Sequence, residues 1–338
     1  MIEAEFILQD KNINYDEVIE SNFPFSIETN ILEITQFFDL SCAKINLHFK
    51  DQLDWEGIFL IKKVKNKLHL CSGGRFGFCG FFPVRKRKSI FYYLDAIDQE
   101  LTKNKIDTYS LTGSIFDAYK NIPEKNGWAI SNITYYITDI PTSVSKNGLL
   151  FKNFTSKKGR LNIRNGLKVA KKNDLKVFMT SDIEHLEDWY ENCHKVRIEE
   201  LHGSIWEYEF FRKLMTFGTA KLIVAVRDKK IIGGCFILFS DNMIELFMMS
   251  TPKKYLKCGT NYSIINFIYS HAFKKNITNI NWQASNPPDG GGAHYKKKWN
   301  AQPRRFYIFN KDNESGININ YIQNHFKDLY VFPYSILK

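Results

Sequence analysis

Apolar and polar positions recur most clearly in the second half of the chain. "LKVFMTS" (Leu175–Ser181) reads as a strand. The following "DIEHLEDWYENCHKV" reads as a helix, with Asp182 as N-cap and Ile183, Leu186, Trp189 and Tyr190 on one face. "WEYEFFRKLMTFG" (Trp206–Gly218) is a second amphipathic helix that stops at glycine. "AKLIVAVRD", "KKIIGGCFILFSD" and "NMIELFMMSTP" are apolar, β-rich runs divided by short polar pairs, which predicts an antiparallel meander. A helix over Cys258–Asn276 follows, entered through Gly and Thr, then a strand "ITNINWQAS", a glycine turn into the short helix "AHYKKKW", and a last strand "RRFYIF". The order is β-α-α-β-β-β-α-β-α-β, a mixed sheet flanked by helices.

The first half repeats this order more weakly. "YDEVIES" reads as a short helix, "GIFLIKKVKNKLHLCSGG" as a hairpin and "KSIFYYLDAIDQELTKN" as a helix. "IDTYSLTGS", "DAYKNI" and "WAISNITYYITDI" then read as strand, helical turn and strand. The polar, Gly- and Pro-punctuated stretch Pro141–Leu150 marks the join, so domains are expected over 1–150 and 151–338. The length of 338 residues suits two domains of roughly 150.

Composition narrows the function classes. Hydrophobic residues make up 44% and aromatics 15%, enough for packed cores and against disorder. The formal charge of +11 favours partners that carry phosphate: a phosphorylated cofactor, a nucleic acid or an anionic lipid surface. The six cysteines are scattered without a CxxC pair, so reduced structural thiols are expected, with no metal site. The N-terminal "MIEAEFILQDKN" lacks a basic region followed by an apolar core, and no apolar run approaches roughly 18 residues. A cytoplasmic location is the expectation. Ser-His-Asp, HExxH and Walker patterns are absent from the sequence.

Four segments carry a resemblance. They are "CSGGRFGFCGFFPV", "GRLNIRNGLKVAKKNDLKV", "KVRIEELHG" and "NINWQAS…GGGAHYKKKWNA". In order and content they resemble segments of the FemABX branch of the GNAT acyltransferases, in which two GNAT-like domains share one chain. Two positions depart from that pattern: Asn300 stands where glycine usually follows the tryptophan, and Trp282 where an acidic residue is common. The resemblance implies an α/β (α+β) fold of two GNAT-like domains, each a mixed, mostly antiparallel sheet flanked by helices. It also implies a bacterial-type acyltransferase that moves an acyl group from a CoA thioester such as acetyl-CoA to an amine or hydroxyl. The implied acceptor is a small-molecule or lipid-linked sugar or another cell-envelope precursor.

The alternatives are an aminoacyl-tRNA donor, or a non-catalytic protein that binds nucleic acid or an anionic surface on a GNAT scaffold. In a GNAT-like site, backbone N–H groups at the start of the helix after the meander face the donor's pyrophosphate. Here that place is Lys257, Cys258, Gly259, Thr260 and Asn261, with Lys254 adding charge. The family's "FKxxW" lysine matches Lys296, which would stabilise an oxyanion or hold an acceptor phosphate. Proton acceptors to weigh are His202, Glu199, Asp289 and His294. Arg75, Trp282, Ser285, Asn286 and Tyr295 are the acceptor-side candidates. Arg160, Arg164, Lys168 and Lys171 recur at helical spacing as one basic stripe, with Leu161, Leu167 and Ala170 expected on an apolar side.

Overall fold

A computed structural model describes residues 1–9, 41–64, 67–71, 80–114, 117, 125–141, 154–203, 205–216, 218, 220–239, 243–285 and 290–312. These form two units. One holds the described residues up to Tyr135 and those from Arg304 onward; the other holds Tyr136–Pro303. The second unit therefore ends two residues into the last strand, Gln302–Asp312.

In the first unit the strands are β1 (Ile2–Gln9), β2 (Ser41–Phe49), β3 (Gln52–Val64), β4 (Lys67–Cys71), β5 (Phe81–Pro83), β6 (Thr108–Thr112), the start of β7 (Ala129–Asp139) and β13 (Gln302–Asp312). They run in the order β1-β2-β3-β4-β6-β13-β7, with β5 on β3. β3 and β4 form the expected hairpin. β1 and β2 pair antiparallel over their whole length; the sequence reading did not mark either. Its "RRFYIF" strand lies within β13, which pairs antiparallel with β6. Tyr307 and Phe309 of β13 join Tyr109, Leu111, Trp128 and the buried face of helix α1 (Leu94–Lys103) in one core. Burial of those rings against β6 and α1 is why the strand belongs to this unit. The expected helices "YDEVIES" and "DAYKNI" lie outside the described residues, apart from Asp117.

The second unit follows the predicted order closely. Helix α2 (Lys157–Lys172) starts on Ser156, whose hydroxyl accepts from the Gly159 N–H at 3.0 Å. Strand β8 (Lys176–Thr180) leads into α3 (Ile183–Trp189), capped by Asp182 as expected. One π-helical turn, Tyr190–Lys195, then widens the helix before α4 (Val196–Glu200). Helix α5 (Tyr208–Thr216) is followed by the antiparallel meander β9 (Ala220–Arg227), β10 (Lys230–Phe239) and β11 (Met243–Ser250). A 3-10 segment, Lys253–Cys258, enters α6 (Thr260–Lys275); β12 (Asn279–Ala284) and α7 (Gly291–Lys298) complete the unit.

Two layers of side chains cover this sheet. Ile223, Cys235, Ile237, Ile244, Ile280 and Trp282 face α6, α7 and Ile163 of α2. On the other face, Trp189 of α3 and Phe211 of α5 pack on Phe236. Arg164, Lys168 and Lys171 are exposed on one side of α2, whereas Arg160 of the expected stripe is half-buried. On the apolar side Leu167 and Ala170 pack inward as expected, but Leu161 does not. The buried positions are Gly159, Ile163, Gly166 and Ala170, whereas Leu161 is 56% exposed. Small residues win the inner face because Tyr262 and the turn at Gly259 come against the helix backbone.

Candidate active site

The geometry that matters lies where two strands part. β11 and β12 are parallel neighbours for only three pairs, Met243↔Asn279, Ile244↔Ile280 and Glu245↔Asn281. β11 then carries an irregularity: Phe236 of β10 opposes Met248 while Ile237 opposes Leu246, so Phe247 is one extra residue. Such a bulge bends the strand that holds it. Beyond Glu245 and Asn281, no further pairs join the two strands, and their backbone groups there become available to something other than the sheet.

A buried polar chain occupies this fork. Glu245 is 1% exposed and Asn281 is fully buried. Gln283, two residues beyond Asn281, has φ +64°. A left-handed glutamine is an uncommon, strained conformation. It is held there from two sides: its N–H donates to Asn281 Oδ1 at 2.9 Å, and its side-chain Nε2 donates to Glu245 Oε1. The twist turns the carbonyls of Gln283 and Ala284 toward Lys296, whose ammonium donates to them at 2.9 and 2.8 Å. The same ammonium lies 5.5 Å from the centre of the Tyr136 ring. Burial pushes the Lys296 pKa down to about 8. An ammonium has three N–H donors, and these two carbonyls use two. Asn281 Nδ2 is buried with no hydrogen-bond partner among the described residues.

Other predicted residues fall in varied places. Trp282 is a core residue: it is 4% exposed, and its Nε1–H donates to Thr138 Oγ1 at 3.0 Å. Tyr269 donates its single hydroxyl proton to the Trp299 carbonyl at 2.6 Å, so Thr138, 2.8 Å from that hydroxyl, must donate to it. The sequence from Trp282 through Thr138 and Tyr269 to the Trp299 carbonyl is thus a one-way relay in which each donor meets an acceptor. An acceptor role for Trp282 is corrected accordingly, since its ring and N–H are taken up by packing. Tyr295 stands against Trp282, Trp299 and Tyr262, and burial raises its hydroxyl pKa. Ser285 is half-buried, 3.7 Å from where a Cβ on Gly292 would sit at the start of α7.

Glu199 is exposed at the end of α4, and His202, also exposed, takes φ +53° in the turn that follows. Among the described residues no hydrogen bond or ion pair ties either to the fork. His294 is exposed on α7. Arg75, Asn286 and Asp289 lie outside the described residues.

The expected donor turn is well made but largely occupied by the fold. Gly259 has φ +80°, and a Cβ there would fall 2.6 Å from the Gly166 carbonyl and 2.7 Å from the Ala170 nitrogen of α2. Thr260 is fully buried and its hydroxyl donates to the Tyr255 carbonyl at 3.0 Å. Asn261 Oδ1 accepts from the Thr251 hydroxyl at 2.7 Å, and Cys258 Sγ accepts from Arg227 at 3.7 Å. Lys257 is exposed. Among the described residues no group of three His, Cys, Asp or Glu side chains could hold a metal ion.

Lys296 was a candidate from the sequence, whereas Glu245, Asn281 and Gln283, which stand beside it at the fork, were not. Glu245 was legible as the one charged residue in "NMIELFMMS", an apolar strand where a carboxylate needs a reason. Gln283 carried no signal, because its strained backbone follows from tertiary contacts.

No family model matches the chain, and no curated protein does. Solved structures do. The crystal structure of FemX superposes with a TM-score of 0.58 at 13% identity, over 81% of this chain and 89% of that one. A conserved protein of unknown function from Bacteroides thetaiotaomicron gives 0.53 at 12% identity, over 84% and 90%. A tandem GNAT protein from the clavulanic acid biosynthesis pathway gives 0.51 at 12% identity, over 93% of this chain and 100% of that one. With the parted strands, the bulge and the matching element order, these superpositions show that the chain has a FemABX-like tandem GNAT fold.

Proposed function

We propose that the protein is an acyltransferase in which an amine or hydroxyl attacks the carbonyl carbon of a donor thioester or ester at the fork between β11 and β12. The observation that carries this reading is Lys296, held charged at the fork by the carbonyls of Gln283 and Ala284. Its remaining N–H stabilises the oxyanion that forms as the nucleophile adds. Asn281 Nδ2, a buried donor without a partner, offers a second contact to the same oxygen. Glu245 takes the proton lost by the acceptor, and its link to Gln283 keeps the carboxylate and the lysine in one fixed frame. Collapse of the tetrahedral species returns the carbonyl and expels the donor's thiolate or alkoxide, which takes the proton back from Glu245 and leaves as the thiol or hydroxyl. Acetyl-CoA or a longer acyl-CoA is the donor in this reading, and a sugar or lipid-linked envelope precursor the acceptor.

One observation favours a second donor, the ester of an aminoacyl-tRNA. Gly259, Thr260 and Asn261, which would cradle a CoA diphosphate, are engaged by α2, Tyr255 and Thr251. Thermal melting against acetyl-CoA, longer acyl-CoAs, free CoA and aminoacylated tRNA separates the two. A ligand at about 100 times its Kd adds roughly 2.7 kcal/mol of stability. A rise with CoA species supports the first donor. A rise with aminoacylated tRNA alone moves the reading to the second, and no rise with any of them sinks both.

A further inference from the structure

We propose that the outer face of α2, together with the adjoining segment Lys253–Cys258, docks the protein on an anionic lipid bilayer. This does not rest on the acyl-transfer reading. The helix is fixed by its inner face, where glycines permit backbone-to-backbone contact: a Cβ on Gly159 would fall 2.7 Å from the Lys298 carbonyl, and one on Gly166 would collide with the Tyr262 ring. The outer face is left to solvent.

That face has an unusual composition. Lys157, Lys158, Arg164, Lys168, Lys171 and Lys172 are all exposed, and the helix contains no acidic residue. None of the six pairs with a carboxylate among the described residues, whereas Arg160 turns back onto the Thr155 carbonyl. Charges of one sign on adjacent helical turns repel each other, so the face is stabilised by a surface of opposite charge.

The side chains between the cations point to lipid over nucleic acid. Leu161 is 56% exposed, and its helical neighbours three and four residues away are Lys157, Lys158, Arg164 and Asn165. Val169 on the same helix is 37% exposed. The 3-10 segment, brought against α2 at Gly259, repeats the pattern: Leu256 is 37% exposed between Lys253, Lys254 and Lys257, all exposed. Acidic residues nearby include Asp174 just past the helix, Glu200, which accepts from the Lys253 N–H and pairs with Arg197, and Asp228, which pairs with the Arg227 beside Cys258. Single-strand nucleic acid is gripped by aromatic stacking between cations, yet the exposed apolar groups here are aliphatic. Tyr255, the one aromatic ring of these segments, is half-buried under the Lys254 ammonium, 4.9 Å away. Aliphatic side chains set among lysines fit the boundary between headgroups and acyl chains, with the ammonium groups at the phosphates.

Co-sedimentation of the full chain with vesicles tests this. The protein should pellet with phosphatidylcholine vesicles that contain phosphatidylglycerol and stay in solution with phosphatidylcholine alone. Raising salt from about 0.1 M to about 0.5 M should release it, because screening shortens the reach of each charge. Lys168→Glu with Lys172→Glu should weaken the partition at least tenfold. Leu161→Asn should weaken it severalfold with the salt dependence unchanged, and unchanged melting temperatures will show that both variants fold. Equal partition into neutral and anionic vesicles overturns the proposal. So does an absence of vesicle binding alongside salt-sensitive binding to bulk tRNA, which would assign the face to RNA.

Discussion

Lys296 shows how much one side chain depends on where the backbone puts its partners. Two carbonyls hold its ammonium, and those carbonyls face it only because Gln283 sits at φ +64°. With burial lowering its pKa to about 8, the lysine is charged at neutral pH and loses its proton as pH rises through that value. If the charged form stabilises an oxyanion, kcat/KM falls above about pH 8; a rate that rises through the same pH would make the neutral amine a base and sink the oxyanion role. Lys296→Met should cost roughly 100-fold or more in kcat, the usual loss for one oxyanion donor, with the melting temperature little changed. Glu245→Gln should lower kcat by about 10²–10⁴, the range for a general base. A loss confined to KM would show that Glu245 only shapes the pocket. Lys296 stood out through the resemblance of "YKKKW" to the family's "FKxxW", and Glu245 carried the signal of a lone charge in an apolar strand, while their meeting with Asn281 was not legible, since it needs the register of two strands 36 positions apart.

Elements were read well wherever periodicity dominated, and less well wherever tertiary contacts set the outcome. Helices α2, α3, α5 and α6 and strands β8 to β12 all lie in or beside their expected segments. β1 and β2 were missed. Their partners are remote in sequence or joined by a tight turn without glycine: Lys50 and Asp51 link β2 to β3 at φ +50° and +59°. The π-helical turn was also unreadable, because the widening shows only in hydrogen bonding. It carries His194, fully buried against Trp189 and 3.1 Å from Ser250 Oγ. Burial lowers the His194 pKa to about 4 from 6.5. Between these values the unfolded chain binds a proton that the folded one refuses, so stability falls as pH drops from about 6.5 to about 4, by on the order of 3 kcal/mol. His194→Gln should flatten that part of the stability–pH curve; an unchanged slope would place the acid sensitivity elsewhere. The relay from Trp282 to Trp299 ties β7, β12, α6 and the end of α7. Thr138→Val leaves the buried Trp282 N–H unpaired and should cost about 1–3 kcal/mol in urea unfolding. A neutral result would mean that the indole finds another acceptor.

At the scale of the whole molecule, the chain leaves its first unit at β7 and returns to it at β13. The reading placed a boundary in the polar stretch from Pro141, where local composition changes; the contacts divide the chain at Tyr135 and again at Pro303. A truncation after Pro303 would remove Tyr307 and Phe309 from the core they share with Leu111 and Trp128. The segment up to Tyr135 should then become sensitive to protease while Tyr136–Pro303 resists. Equal resistance of both segments would show that β13 is dispensable.

The sequence by itself determined the element order of the second unit and the basic face of α2. Each depends on residues a few positions apart, where spacing along one helix or strand is the physical cause. Tertiary structure alone decided the membership of β13, the burial of Trp282, the filling of the turn at Gly259 and the left-handed twist of Gln283. These follow from which surfaces meet across long stretches of chain, and no local pattern of polar and apolar residues encodes that meeting.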